Sequence, residues 1–286
     1  MSTAPPPEGQ PLVDDVDWTW TNDDSSWIPP EIDTEHPSPA RMYDYSLGGK
    51  DNFEVDRAAV ERVGEIVPEF RSVAVANRGF LVRAVDVLAR QGIDQFIDLG
   101  AGLPTQGNVH QVAREINPDA HVVYVDNDPI VFAHGRALLA DSPVVQVITA
   151  DLRRPDDVLD HPVTQKLIDF SRPVGLLMFA VLHFVPDDEQ PRELLAHYRS
   201  RLAPGSLVGV SHLTMDGFST EAVAKAAAVY ERATSPMVPR SRPEIAHLLD
   251  GLDLLEPGLV RSWEWRPAPD DTLRTNATYA AVGQVT

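Results

Sequence analysis

Phe96-Ile97-Asp98-Leu99-Gly100-Ala101-Gly102 joins a short apolar run to a turn with two glycines. An apolar run that ends in an acid and then a Gly-x-Gly turn is how a doubly wound α/β protein brings a buried strand to the edge of a nucleotide pocket. The glycines permit tight backbone geometry and close approach of a ligand, and Asp98 at the strand end can accept hydrogen bonds from an amine or a hydroxyl.

Outward from this stretch, strands and helices alternate. The apolar runs predict strands near residues 95–99, 121–126, 144–150, 174–180 and 206–213, separated by helices near 108–117, 129–140, 189–202 and 219–234, with a shorter one near 242–249. Five apolar strands with helical crossovers imply a parallel sheet covered on both faces. Val260 to Trp265 alternates and Tyr279 to Val282 is apolar, so these two segments are expected to form an antiparallel hairpin at the sheet edge. The fold class is α/β, with a Rossmann-like, mostly parallel sheet and helices on both faces.

Upstream, residues 36–92 read as a helical N-terminal cap or lid. Val55, Ala59, Val63 and Ile66 share one face of a helix ended by Pro68, and Ser72 opens a second helix that runs to Arg90 with Gly92 just past it. Arg41 to Phe53 is polar and aromatic with a glycine pair, and reads as a structured loop. Residues 1–35 read as a flexible acidic arm: nine acids, no Lys or Arg, and the three indoles Trp18, Trp20 and Trp27, which suit either docking on the body or a second subunit, or a solvated tail with transient clustering. The core is expected to span 93–286.

The chain has 286 residues, 43% of them hydrophobic, and a formal net charge of -19. Beyond the arm, 34 acids still face 24 bases, a surface that disfavours nucleic acid as a partner. The absence of cysteine removes disulfides, thiolate catalysis and Cys-based zinc sites, and the nine histidines show no compact ligand spacing, so no metal is expected. No apolar run reaches 18 residues and no secretory signal opens the chain; no membrane association and a cytoplasmic location are the expectation.

Three acids follow the glycine turn in order. Asp126 ends the second strand, 24 residues after Gly102, where a carboxylate can take both ribose hydroxyls; Asn127 and Asp128 follow it, and Asp128 also suits the first turn of the helix at Pro129. Asp151 ends the third strand, where it can accept from the exocyclic amine of adenine while the Leu152 amide meets a ring nitrogen. A dinucleotide fingerprint is disfavoured: it needs Gly or Ala at position 105, which is Thr, with Pro104 ahead of it. The pattern favours a ligand with hydroxyls and an ammonium over a diphosphate.

With these residues, the sequence resembles the class I S-adenosylmethionine-dependent methyltransferases, and more closely an actinobacterial family with largely unassigned substrates. The resemblance runs from about Pro37 to the C-terminus through Ala40 to Tyr45, Leu47 to Phe53, Asn77 to Leu81, Ile97 to Thr105, Tyr124 to Pro129 and Ala150 to Arg153. It implies a seven-stranded sheet and bound S-adenosylmethionine. In that reading Gly100 and Gly102 cradle the methionine part, Asp98 orients its ammonium, Asp126 takes the ribose and Asp151 the adenine amine. Where the general class often has a third glycine, Leu103-Pro104 stands here.

Methyl transfer needs placement more than covalent help, with a general base only for acceptors that must lose a proton. His183, just past the fourth strand, is the catalytic candidate and His212 the second; a structural histidine is the competing reading of each. In the lid, Tyr43 and Asn52 are read as binding residues and Lys50 as surface charge. Arg78 is a candidate partner for the methionine carboxylate, against a surface salt bridge. The function expected is methyl transfer to a small-molecule acceptor, and the alternative is a non-catalytic S-adenosylmethionine-binding regulator.

Overall fold

Five buried segments form parallel strands in the computed structural model, which describes residues 32–104, 107–139, 142–269 and 271–286. They are β1 (Gln95–Leu99), β2 (His121–Asp126), β3 (Val145–Thr149), β4 (Gly175–Phe179) and β5 (Leu207–Leu213). Two-residue strands β6 (Asp253–Leu254) and β7 (Val260–Arg261) precede β8 (Thr278–Gln284). The sheet order is β3-β2-β1-β4-β5-β8-β6, with β7 also on β8 and β8 antiparallel to β5. Strand order reverses between β1 and β4, and the crevice outside their carboxyl ends is where an open α/β sheet receives its ligand.

The sheet has eight strands by count, yet β6 and β7 occupy one edge position. Asp253 and Leu254 pair with Gln284 and Gly283, and Val260 and Arg261 with Ala280 and Tyr279. The expected antiparallel pairing of the two terminal segments is present as β7 on β8, with β7 cut to two residues and a further strand, β6, sharing the edge. β8 is buried over six of its seven residues and lies inside the sheet between β5 and the β6/β7 edge. The segment after Arg261 leaves the ladder as a 3-10 turn, held by a buried Ser262–Thr278 hydroxyl pair at 2.6 Å, and drops Trp265 into the core edge-on against Phe80.

Ten α-helices complete the described residues: α1 (Pro39–Ser46), α2 (Glu54–Ile66), α3 (Phe70–Arg90), α4 (Val109–Ile116), α5 (Pro129–Leu139), α6 (Pro155–Leu159), α7 (Pro162–Leu167), α8 (Pro191–Ser200), α9 (Thr220–Tyr230) and α10 (Arg242–Leu248). Strand alternation sends Ile97, Leu99, Leu176 and Met178 to the face covered by α8 and α10, and Phe96, Leu177 and Phe179 to the face covered by α3 and α4. Asp98 continues the Phe96 face, which aims it towards α3. That period-two relation puts Asp98 in the field of Arg78.

The stretch 41–53, read as a loop, is helical over its first half. Pro39 starts α1 and the Ser46 hydroxyl closes it on the Met42 carbonyl at 2.8 Å. α1, α2 and α9 share an apolar cluster that includes Met42, Val60, Val63, Ala226 and Tyr230. α3 joins that cluster through Val73 and packs into the sheet through Phe80, Ala84, Val85 and Leu88. The arm, including Trp18, Trp20 and Trp27, lies outside the described residues up to position 31. No helix among the described residues is long and apolar enough to cross a membrane.

Candidate active site at the carboxyl ends of β1 to β3

The turn after β1 is tied to β2 by its own backbone. The Gly100 and Ala101 amides both donate to the Val125 carbonyl, at 2.8 and 3.1 Å, and the Gly102 amide donates to Asp126 Oδ2 at 2.8 Å. Gly100 sits at φ +71° with the Val181 side chain against its α-carbon, so a Cβ there would overlap Val181. Gly102, at φ +64°, has nothing within 4 Å of a Cβ position, which leaves its face open to a ligand. Gly100→Ala is expected to destabilise the fold by about 2–3 kcal/mol in urea titration, from left-handed strain plus overpacking. Val181→Ala in that background should recover the packing part.

A cavity of about 200 Å³ opens beside this turn, and Arg78, Asp98, Gly102, Asn108, His110 and Tyr124 are among its lining residues. Asp98 is 5% exposed and has no hydrogen-bond donor among the described residues. Burial raises its pKa to about 7, against the opposing pull of the Arg78 guanidinium and with a further push from Asp126. Arg78 Nε is buried and also without a partner, while the guanidinium lies 5.8 Å over the Tyr43 ring. Tyr43 itself donates to the Ala74 carbonyl at 3.1 Å and accepts from Asn77 Nδ2 at 3.0 Å. Two oppositely charged residues, Asp98 without a donor and Arg78 with an unpartnered Nε, thus line one cavity. A zwitterion with an ammonium and a carboxylate complements them.

Asp126 is buried and its oxygens accept from the Asp128 amide at 2.9 Å and from the Gly102 amide at 2.8 Å. Burial lifts its pKa to about 6, and the amides of Asp128, Gly102 and Asn127 restrain the rise. Each oxygen retains acceptor capacity for a hydroxyl. The Asn127 side chain is exposed. Asp128 accepts from the Ile130 amide at 3.0 Å, the first-turn role expected of it, and also takes the Ser38 hydroxyl of the cap at 2.7 Å. Ala40 and Phe53 pack on Leu103, Ile130 and Val131, so the cap rests on the loops after both β1 and β2.

Asn52 belongs to the cap's own network. Its amide nitrogen donates to Asp44 Oδ2 at 2.8 Å and to the Gly49 carbonyl at 3.1 Å, and its oxygen accepts from Arg57 at 3.0 Å. Lys50 is exposed. Asp151, at the end of β3, is chelated by Arg153, which also reaches Glu189 in the turn after β4.

His183 and His212 are buried with lone pairs already engaged. His183 Nδ1 accepts from the Leu213 amide at 3.2 Å, which leaves the ring hydrogen on Nε2. Burial, then the nearby His212 and Arg240, hold its pKa well below the ordinary value. His212 Nδ1 donates to the Leu213 carbonyl at 2.7 Å and its Nε2 accepts from Arg240 at 3.0 Å; burial takes its pKa to about 4. Arg240 also binds the Leu182 and Val185 carbonyls and Asp187, fastening the turn after β4 to β5.

The switch-point cavity, the open glycine turn and the strand-end acids define a class I S-adenosylmethionine-dependent methyltransferase fold. The chain belongs to the S-adenosyl methyltransferase family, whose model matches residues 25–286, and its cofactor is S-adenosylmethionine. A solved structure of a candidate methyltransferase from Thermobifida fusca YX is 42% identical, covers 92% of this chain and all of its own, and superposes with a TM-score of 0.84. A duf574 family protein from Streptomyces avermitilis MA-4680 is 36% identical over 90% of this chain and all of its own, with a TM-score of 0.85. A carboxy-S-adenosyl-L-methionine synthase of Geobacter metallireducens is 29% identical over 160 residues, 53% of this chain; the match spans 59% of that relative's length.

Proposed function

We propose that the protein transfers a methyl group from S-adenosylmethionine to a small-molecule acceptor, with the amino-acid end of the cofactor held between Asp98 and Arg78. The observation that carries this reading is that Asp98, without a hydrogen-bond donor among the described residues, and Arg78, whose Nε has no partner, line one cavity beside an open Gly102. Buried ionic groups without partners are costly, and a ligand that satisfies both recovers that cost. Asp126 takes the ribose hydroxyls and Asp151 the adenine amine. Tyr43 supports Arg78 through its ring rather than by touching ligand.

S-adenosylmethionine supplies an electrophilic methyl on a sulfonium that is already a good leaving group. The chain's contribution is to orient, to exclude water and to place the acceptor in line. His183, with its Nδ1 lone pair engaged, acts in this reading as a positioning group for the β4 and β5 ends. The fitting acceptors carry a free lone pair at neutral pH.

Asp126→Ala is expected to weaken S-adenosylhomocysteine binding by about 2–3 kcal/mol in titration calorimetry, the size of lost hydrogen bonds to a charged group. Unchanged affinity would contradict the ribose role. Incubation with S-adenosylmethionine and small-molecule fractions of a cell extract is expected to yield S-adenosylhomocysteine in an enzyme-dependent way. Cofactor binding with no turnover in any fraction would favour the non-catalytic regulator.

A further inference from the structure

The carboxyl end of β3 is braced more heavily than a surface loop requires. Asp151 Oδ1 accepts from the backbone amide and from Nε of Arg153, both at 2.9 Å, and Oδ2 accepts from Nη2 at 2.6 Å. The far side of the same guanidinium donates to Glu189 at 3.1 and 3.3 Å. Glu189 belongs to the turn after β4, which Arg240 fastens to β5 through Asp187 at 2.6 Å. The next residue along, Leu152, has its carbonyl held by the hydroxyl of fully buried Tyr198 at 2.8 Å.

We propose that Arg153 is a positioning residue for adenine recognition, fixing the Asp151 carboxylate so that its remaining lone pairs meet the exocyclic amine of the cofactor. The inference rests on the reading of Asp151 as the adenine-side acid and adds the residue that makes that acid selective. An unclamped aspartate in a loop loses rotamer freedom when it binds, and the planar fork of an arginine removes that loss in advance. The clamp also keeps the group ionised: partial burial alone raises the Asp151 pKa, and the Arg153 hydrogen bonds and charge outweigh it to give a net lowering. Glu189 offsets the guanidinium charge, which otherwise disfavours a donor amine close by. An ionised, fixed carboxylate accepts from the amine of adenine and repels the carbonyl oxygen that hypoxanthine carries at the same position.

Titration calorimetry of the full chain with S-adenosylhomocysteine and S-inosylhomocysteine tests the proposal. The wild type is expected to prefer the adenosyl ligand about thirtyfold, and Arg153→Leu to reduce the preference to about threefold, chiefly through weaker S-adenosylhomocysteine binding. Arg153→Lys should fall between them, because it keeps charge and loses the fork. The Arg153 side chain is 43% exposed, so the variants are expected to fold, and an S-inosylhomocysteine affinity no weaker than that of the wild type verifies it. A Leu variant that keeps the full preference, or loses affinity for both ligands equally, would overturn the role of Arg153. A wild type without preference would instead overturn the Asp151 reading itself, and the inference with it.

Discussion

Asp98→Asn is expected to bind S-adenosylhomocysteine about 30- to 100-fold more weakly than the wild type and, without ligand, to be more stable. The weakening follows from losing a charge-assisted contact to the ammonium. The stabilisation follows from burial: Asp98 is 5% exposed without a hydrogen-bond donor among the described residues, and its pKa is raised from 3.8 to about 7. The folded state therefore binds this proton more tightly than the unfolded chain does. The group destabilises the fold when ionised, and its contribution to stability rises as pH falls from about 7 towards 4. Ligand affinity moves the other way, falling as pH drops below 7 because the ammonium needs the carboxylate. At pH 7.5 the Asn variant should gain about 1–2 kcal/mol in chemical denaturation, and both pH dependences should flatten. A variant with wild-type affinity would remove Asp98 from the ammonium role.

Arg41→Leu is expected to cost about 3–5 kcal/mol, or to release the cap altogether, because it strands a buried carboxylate. Arg41 and Asp56 are 2% and 0% exposed and meet at 2.8 Å. Asp56 also accepts from the Ser38 and Phe53 amides at 2.9 and 2.8 Å, while Arg41 takes the Asp33 and His36 carbonyls at 2.7 and 2.6 Å. This knot holds Ser38 on Asp128 and Phe53 on Leu103, so its loss should reach the cofactor site. Hydrogen exchange should show protection lost across residues 38–56 before β1 or β4, and S-adenosylhomocysteine affinity should fall with it. The double variant Arg41→Leu/Asp56→Leu is expected to recover part of the stability, since it removes the stranded charge.

The parallel strands were legible because each is a buried apolar run, and the placement of Asp98 and Asp126 at the carboxyl ends of β1 and β2 followed from those runs. The antiparallel pairing of Val260 and Arg261 with the apolar run Tyr279 to Val282 was legible, and the short extent of that pairing was not. The interruption at Glu256 to Leu259, which splits the edge into β6 and β7, hid β6, the second edge partner of β8. Helix α1 is only eight residues long, too short for a periodic signal, and its neighbour Asn52 is drawn into the cap by Asp44 and Arg57. The engagement of His183 by a backbone amide 30 residues away, and of His212 by Arg240 28 residues away, depends on tertiary pairing that spacing does not encode. Arg153 left a local trace: the Asp-x-Arg spacing allows the clamp, but Glu189 enters from a different loop.

The central claim, that Asp98 and Arg78 hold the amino-acid end of the cofactor, is tested most directly by calorimetry with S-adenosylhomocysteine and 5′-methylthioadenosine, which keeps the adenosine and lacks the ammonium and carboxylate. The account predicts binding of 5′-methylthioadenosine at least about a hundredfold weaker, with Asp98→Asn lowering only the S-adenosylhomocysteine affinity. Equal affinities for the two ligands would contradict it.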